Sequence, residues 1–339
     1  MYLDHFGLNE PPFRITPHTG YFFGGAQREA ILDALVFAVT HEEGIVRVSG
    51  EVGLGKTMLC RMLIERLPEQ VKTIYLANPS LAPDELQQVI LLELGVGADD
   101  SPAPLRLIEQ KLIELYAAQS RVVLIVDEAH AMPTASLELV RLLSNLESST
   151  HKLLQIVLFG QPELDTLLTR RDMRSLAERI THSFRLTPLN LRDTADYLRS
   201  RLHTAGYRGP DLFTGAPLRR LARASRGLTR RVNILADKSL MAAFADNTRT
   251  ITSRHVARAI ADAGYAQRDS TRPWRIAASV ALAACMAATL WWNHTRTPTR
   301  PSASSVTPLS PKTTPSPTSE HAPQSTPAAE AASAKASEG

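Results

Sequence analysis

Between residues 45 and 186, short and mostly apolar runs alternate with longer stretches in which apolar residues recur every three or four positions. The runs occupy residues 45–48, 73–77, 122–126, 155–159 and 183–186. Such a run, bounded by turns and helical segments, is the pattern of a strand buried on both faces of a sheet. Five of them separated by helices predict an α/β fold with a doubly wound parallel sheet. An amphipathic helix is expected before the first run, over residues 26–40. From Arg192 onward helical periodicity stands alone, over 194–205, 216–225, 230–244 and 253–263. Breaks fall at 206–210, at Gly227 and at 246–250, where glycine, proline or turn-forming residues gather. A sheet domain over 1–190 and a helical lid domain over 191–267 follow from this change of period.

Two further patterns close the chain. Residues 276–292 carry no charge, and Trp274, Trp291 and Trp292 flank them. As a helix this stretch spans about 25 Å, near the short limit for crossing a bilayer, and interfacial tryptophans suit such a helix. A transmembrane helix is therefore expected over 274–293. Residues 294–339 are rich in Pro, Ser, Thr and Ala, and are expected to form a disordered tail because they hold too little apolar surface to offset ordering.

Composition narrows the function classes. With 44% hydrophobic and 21% charged residues the chain is ordinary globular material. A net charge of +4 is compatible with nucleic acid or an anionic membrane surface and compels neither. Cys60 and Cys285 lie far apart without metal-ligand spacing, so neither a disulfide framework nor a zinc site is expected. The opening residues 1–19 are polar and broken by proline, which does not fit a secretory signal. The N-terminal part is accordingly expected in the cytoplasm.

The chemistry is concentrated in two places. Gly50-Glu51-Val52-Gly53-Leu54-Gly55-Lys56-Thr57 satisfies G-x-x-x-x-G-K-[ST], after an expected strand and before an expected helix that opens with Met58. The glycines allow the backbone to curl, so that successive N–H groups face phosphate oxygens. Lys56 then reaches the β- and γ-phosphates of ATP, and the Thr57 hydroxyl ligates Mg²⁺. The second place is Asp127-Glu128, two carboxylates at the end of the run 122–126. Asp127 is the second candidate Mg²⁺ ligand, and Glu128 the candidate base for the attacking water.

The assembled pattern resembles the AAA+ ATPases. Within them it is most similar to the ExeA/GspA-type ATPases of general (type II) secretion and the related MshM-type ATPases of mannose-sensitive pilus biogenesis. The resemblance covers residues 1–265. It is carried by the opening Tyr2-Leu3-Asp4-His5-Phe6-Gly7-Leu8 with Pro11-Pro12-Phe13, by the phosphate loop, by Asp127-Glu128-Ala129-His130, by Gly160-Gln161-Pro162-Glu163-Leu164 and by Arg179-Ile180-Thr181. It implies a γ-phosphate sensor at Gln161, for which a plain helix-start turn before Pro162 is the competing reading. It implies an arginine acting on a neighbouring subunit's nucleotide, at Arg179 with Arg174 in reserve. It implies a lid arginine at Arg230, with Arg231 as the alternative. In such families the opening segment can cover the adenine; for Tyr21 and Phe22 that role competes with plain core packing, which is the expected reading.

The same resemblance implies a homo-oligomeric ring and a second membrane subunit as partner. It places the protein in a bacterial inner membrane by a single pass, with the ATPase cytoplasmic and the tail periplasmic. ExeA-like members carry a peptidoglycan-binding domain beyond the membrane helix, whereas residues 294–339 are expected to be a disordered tail instead. The alternative is a nucleic-acid-acting AAA+ protein of transposition or initiator type, supported by Arg219, Arg220, Arg223, Arg226, Arg230 and Arg231. No helix-turn-helix stands out to favour it. A nucleotide-gated scaffold that rarely hydrolyses is a third reading, opposed by the intact Asp127-Glu128 pair.

Overall fold

The structure is a computed structural model that describes residues 2–97, 103–148, 151–265 and 272–295, the last helix with its side chains at 281–292 only. Residues 1–268 form one compact unit.

Five strands build its sheet: β1 (Ile45–Ser49), β2 (Val71–Leu76), β3 (Arg121–Val126), β4 (Leu154–Gly160) and β5 (Ile180–Arg185). All neighbours run parallel, in the order β2-β3-β4-β1-β5. The two central hydrophobic runs behave as expected: every residue of β4 is buried, and so is every residue of β3 except Arg121. Strand β5 differs. Its residues alternate between half-buried and exposed, because it closes the edge of the sheet and has water on one face.

The chain opens with α1 (Tyr2–Phe6), and around the sheet lie α2 (Arg28–His41), α3 (Lys56–Arg66), α4 (Pro83–Leu94), α5 (Pro104–Ala117), α6 (Thr134–Leu143), α7 (Pro162–Leu168) and α8 (Arg174–Ala177). The faces are filled by separate apolar clusters. One joins β2, β3 and β4 to α4, α5 and α6 through residues such as Ile74, Leu91, Ile108, Leu124, Leu139 and Leu158. The other joins the opposite face to α2 and α3 through Leu32, Leu35, Leu59, Leu63 and Phe159. Cys60 is buried in this second cluster, and burial pushes its thiol pKa well above the ordinary value, so it behaves as a small apolar residue.

Four helices follow: α9 (Leu191–Thr204), α10 (Gly215–Ser225), α11 (Thr229–Ala245) and α12 (Ser253–Asp262). Helix α9 opens with a reciprocal cap. Asn190 Oδ1 accepts from the Asp193 N–H at 2.8 Å, and Asp193 Oδ2 accepts from the Asn190 N–H at 3.3 Å. The third cluster fills this helical domain, and it includes Phe6, Leu8, Phe13 and Tyr21 from the opening segment. The change from strands to helices marks a boundary near residue 190, but packing assigns the opening segment's apolar side chains to the helical side. Arg201 secures that segment by donating to the carbonyls of Pro12 at 2.6 Å and Arg14 at 3.1 Å.

Helix α13 (Arg272–Thr295) coincides with the expected membrane span. Among the described residues, however, no helix is long and apolar enough to cross a membrane. The side chains of α13 at 272–280 and 293–295, and the expected tail from 296 onward, lie outside the described residues.

Candidate active site

Register brings the distant motifs together. Ser49, the last residue of β1, lies opposite Gly160, the last of β4, while Val126 of β3 lies opposite Leu158. Because β4 runs between β1 and β3, Gln161 emerges between the phosphate loop and the acidic pair. In an open parallel sheet this edge, at the carboxyl ends of the strands, is where ligands bind.

The loop from Gly50 to Gly55 connects β1 to α3, and Gly53 (φ 79°) and Gly55 (φ 96°) adopt conformations that side chains resist. Gly53 is needed for a second reason: a Cβ there would sit 2.9 Å from the Cβ of Arg230. Lys56 is only 4% exposed. Its ammonium donates to the carbonyls of Gly50 at 3.0 Å and Glu51 at 3.4 Å, and lies 3.9 Å from Glu128 Oε1. Burial holds its pKa below the ordinary lysine value, although the neighbouring carboxylates of Glu128 and Asp127 oppose the shift. A phosphate oxygen bound at this nitrogen offsets that desolvation.

Thr57 Oγ1 donates to Asp127 Oδ2 at 2.7 Å, so the two candidate metal ligands are adjacent. Burial raises the Asp127 pKa, while the Thr57 hydroxyl and the Glu128 N–H, donating to Oδ1 at 2.9 Å, pull it back. No group of three or more His, Cys, Asp or Glu able to hold a metal occurs among the described residues. One hydroxyl and one carboxylate fit magnesium well, since that ion completes its octahedron with substrate phosphates and water. Magnesium bound there neutralises phosphate charge.

Glu128 occupies a left-handed backbone conformation, φ 55° and ψ 37°, which is costly for a glutamate. Its Oε2 accepts from Gln161 Nε2 at 2.8 Å and lies 3.5 Å from His130 Nε2. The Gln161 N–H in turn donates to His130 Nδ1 at 3.4 Å. Oε2 is thereby held and Oε1 is left facing Lys56. Gln161 is thus both the cap residue before α7 and a partner of the candidate base.

A cavity of about 460 Å³ lies above the loop. Val52, Gly53, Leu54, Gly55, Lys56, Thr57 and Met58 form its floor, and Glu128 reaches it from β3. The opening segment and the helical domain form the roof, through Tyr21 and Phe22 and through Tyr197, Arg201 and Arg230; Tyr21 is at the same time part of the helical domain's core, as its core-packing reading expects. Gly50 and Glu51 act from beneath, through their carbonyls to Lys56. Arg230 is brought to the loop by backbone bonding: its N–H donates to the Gly53 carbonyl at 3.0 Å, and Thr229 Oγ1 donates to the same oxygen at 2.7 Å. The alternative, Arg231, instead lies over the Tyr265 ring at 5.0 Å.

Arg179 is not at this cavity. Its carbonyl accepts from the Ile45 N–H at 3.1 Å, where β5 and β1 begin, so a strand length of roughly 17 Å separates it from the loop. Arg174, the reserve, is exposed and pairs with Glu178.

Sequence reasoning missed Arg28. It is 6% exposed, lines the cavity, and donates through Nη2 to the Leu54 carbonyl at 3.3 Å. Its buried Nη1 has no hydrogen-bond partner among the described residues, and burial lowers its pKa. A signal was present: Arg28 falls on the same stripe of α2 as buried Leu32, Leu35 and Val39, where an arginine is out of place unless it has a ligand to meet.

The strand order, the loop on β1, the acidic pair on β3 and the helical roof define a P-loop protein of the AAA class. Residues 39–168 match the AAA domain family. General secretion pathway protein A of Aeromonas hydrophila is 38% identical over 297 residues, covering 86% of this chain and 54% of that protein. The chain belongs with the ExeA/GspA-like AAA ATPases, and it spans about half the length of this curated relative. Among solved structures, Cdc6p from Pyrobaculum aerophilum has a TM-score of 0.60 at 14% identity, covering 74% of this chain and 70% of that one. The ADPNP-ADP form of Aeropyrum pernix ORC2 has a TM-score of 0.57 at 18% identity, covering 76% and 72%. These likenesses show a shared fold.

Proposed function

We propose that this chain hydrolyses ATP, with Mg²⁺, to drive assembly of a type II secretion or pilus apparatus across the cell envelope. The observation that carries hydrolysis, rather than binding alone, is Glu128: one carboxylate oxygen is held by Gln161 and the other faces Lys56 across the mouth of the cavity. A base held in this way can orient and deprotonate a water in line with a γ-phosphate gripped by the loop. Thr57 and Asp127 serve the metal. Arg230, on the roof and bonded to the loop, couples the state of the phosphate to movement of the helical domain.

Arg179 lies too far from its own cavity to act there. A homo-oligomeric ring in which it reaches the neighbouring copy's nucleotide gives it a role, and a permanently charged planar fork suits that role. The secretion setting is inferred from the relative's name, and the pilus setting from the sequence resemblance to the MshM-type ATPases. Attachment to the inner membrane, with the ATPase in the cytoplasm, the tail in the periplasm and a second membrane subunit as partner, is inferred from residues 276–292 and that resemblance.

The test is complementation. In a strain lacking this gene, the wild-type chain should restore secretin or pilus assembly and Lys56→Ala should not. Full restoration by Lys56→Ala would remove nucleotide from the function. Assembly that is normal without the gene, combined with salt-sensitive DNA binding by the chain, would turn the reading to the nucleic-acid alternative.

A further inference from the structure

Residues 215–231 hold six arginines and no acidic residue. Arg230 alone among them lines the nucleotide cavity. Arg219, Arg220 and Arg223 stand three and four positions apart on α10 and so share one face. They line a second cleft, of about 430 Å³, whose other side is α12 with Ser253 and Ile260, and whose end is Tyr265.

The three arginines are exposed, and among the described residues none pairs with a carboxylate. The same domain pairs its arginines elsewhere: Arg199 with Asp196 and Asp211, and Arg258 with Asp246. Within the cleft, Arg220 has one long contact, donating to the Ser253 carbonyl at 3.5 Å. Three like charges in one concavity repel each other and focus a positive potential there. Two further features add to it. Helix α12 begins at Ser253, so its positive end opens on the cleft. Arg231, outside the lining, lies over the ring of Tyr265 at 5.0 Å and adds its charge behind the end of the cleft.

We propose that this cleft is a second anion site, separate from the nucleotide cavity, that takes a phosphate group. Planar guanidinium forks match phosphate oxygens two at a time. A concavity of this volume admits a phosphate with its ester substituent. The phosphate comes from a free phosphate compound or from a phospholipid headgroup. The inference rests on α10 and α12 and is independent of ATP hydrolysis.

Binding of inorganic pyrophosphate to the full chain tests it. The wild type should bind two, at the loop and at the cleft. Lys56→Ala should keep the cleft site. The triple variant Arg219→Gln/Arg220→Gln/Arg223→Gln should weaken that site by about tenfold or more while ATP affinity and melting temperature stay unchanged. Arg223→Gln alone should give an intermediate loss. Flotation with vesicles of phosphatidylcholine and phosphatidylglycerol identifies the source: arginine-dependent flotation that is absent with phosphatidylcholine alone assigns a headgroup, and pyrophosphate binding without flotation assigns a free phosphate. Unchanged pyrophosphate binding in the folded triple variant would overturn the proposal. So would arginine-dependent binding of duplex DNA without any binding of pyrophosphate.

Discussion

The floor and the roof of the nucleotide cavity are built in different ways. The floor is seven consecutive residues, Val52 to Met58, whose shape comes from local backbone geometry and a helix start. The roof draws on the opening segment, α9 and α11, with side chains as far apart in sequence as Tyr21, Tyr197 and Arg230. The floor can therefore be complete in a short peptide pattern, while the roof exists only when the helical domain has folded onto residues 6–21. The contrast locates chemistry below and control above: the candidate base and metal ligands belong to the sheet, and the arginines that feel the ligand belong to α2 and the helical domain.

Four substitutions break or sharpen that contrast. The largest effect is expected from the floor. Glu128→Gln should lower kcat by about 10²–10⁴-fold and leave ATP affinity near wild type, measured by steady-state turnover and equilibrium binding. Equal turnover would take Glu128 out of the chemistry.

The joint between floor and roof comes next. Gly227 has φ 71°, and a Cβ there would meet the Leu189 carbonyl oxygen at 2.2 Å. Gly227→Ala should destabilise the chain by about 2–4 kcal/mol, read as a lowered thermal midpoint. An unchanged midpoint would mean that the helical domain does not depend on this contact.

Arg28 separates a ligand-binding role from a packing role. Its guanidinium cannot shed its charge, and Nη1 is buried without a partner among the described residues. Arg28→Met should weaken nucleotide binding by about tenfold without lowering the melting temperature of the nucleotide-free protein. A loss of stability with unchanged affinity would make Arg28 a packing residue.

The smallest effect is a dependence on pH. Burial raises the Asp127 pKa above its ordinary 3.8. The folded state then binds more protons than the unfolded state in the window that opens near 3.8 and extends upward, so this group's contribution to stability falls as pH rises through that window. Urea midpoints of the wild type and Asp127→Asn, compared without nucleotide, should diverge in favour of Asn as pH increases. A constant difference would show that Asp127 titrates alike in both states.

Much of this was legible in advance, for reasons that differ by element. Strands β3 and β4 are mostly apolar because both faces are covered, and α9 to α12 announce themselves by period and by breaks at turn-forming residues. Strand β5 was harder to read as an edge, since one alternating strand resembles any other. The partnership of Gln161 with Glu128 depends on β4 lying between β1 and β3, which no local pattern encodes. Arg28 left a trace on the apolar stripe of α2, but its meaning required the cavity.

The sequence by itself determined the phosphate loop, the acidic pair and the succession of sheet and helical segments, because backbone curl and burial period are properties of neighbouring residues. Tertiary structure alone decided that the opening segment packs with the helical domain, that Arg230 rather than Arg231 meets the loop, and that Arg179 stands a strand's length from its own cavity. Those outcomes depend on strand order and on packing between residues far apart along the chain, where the sequence carries the parts and only the folded chain sets their distances.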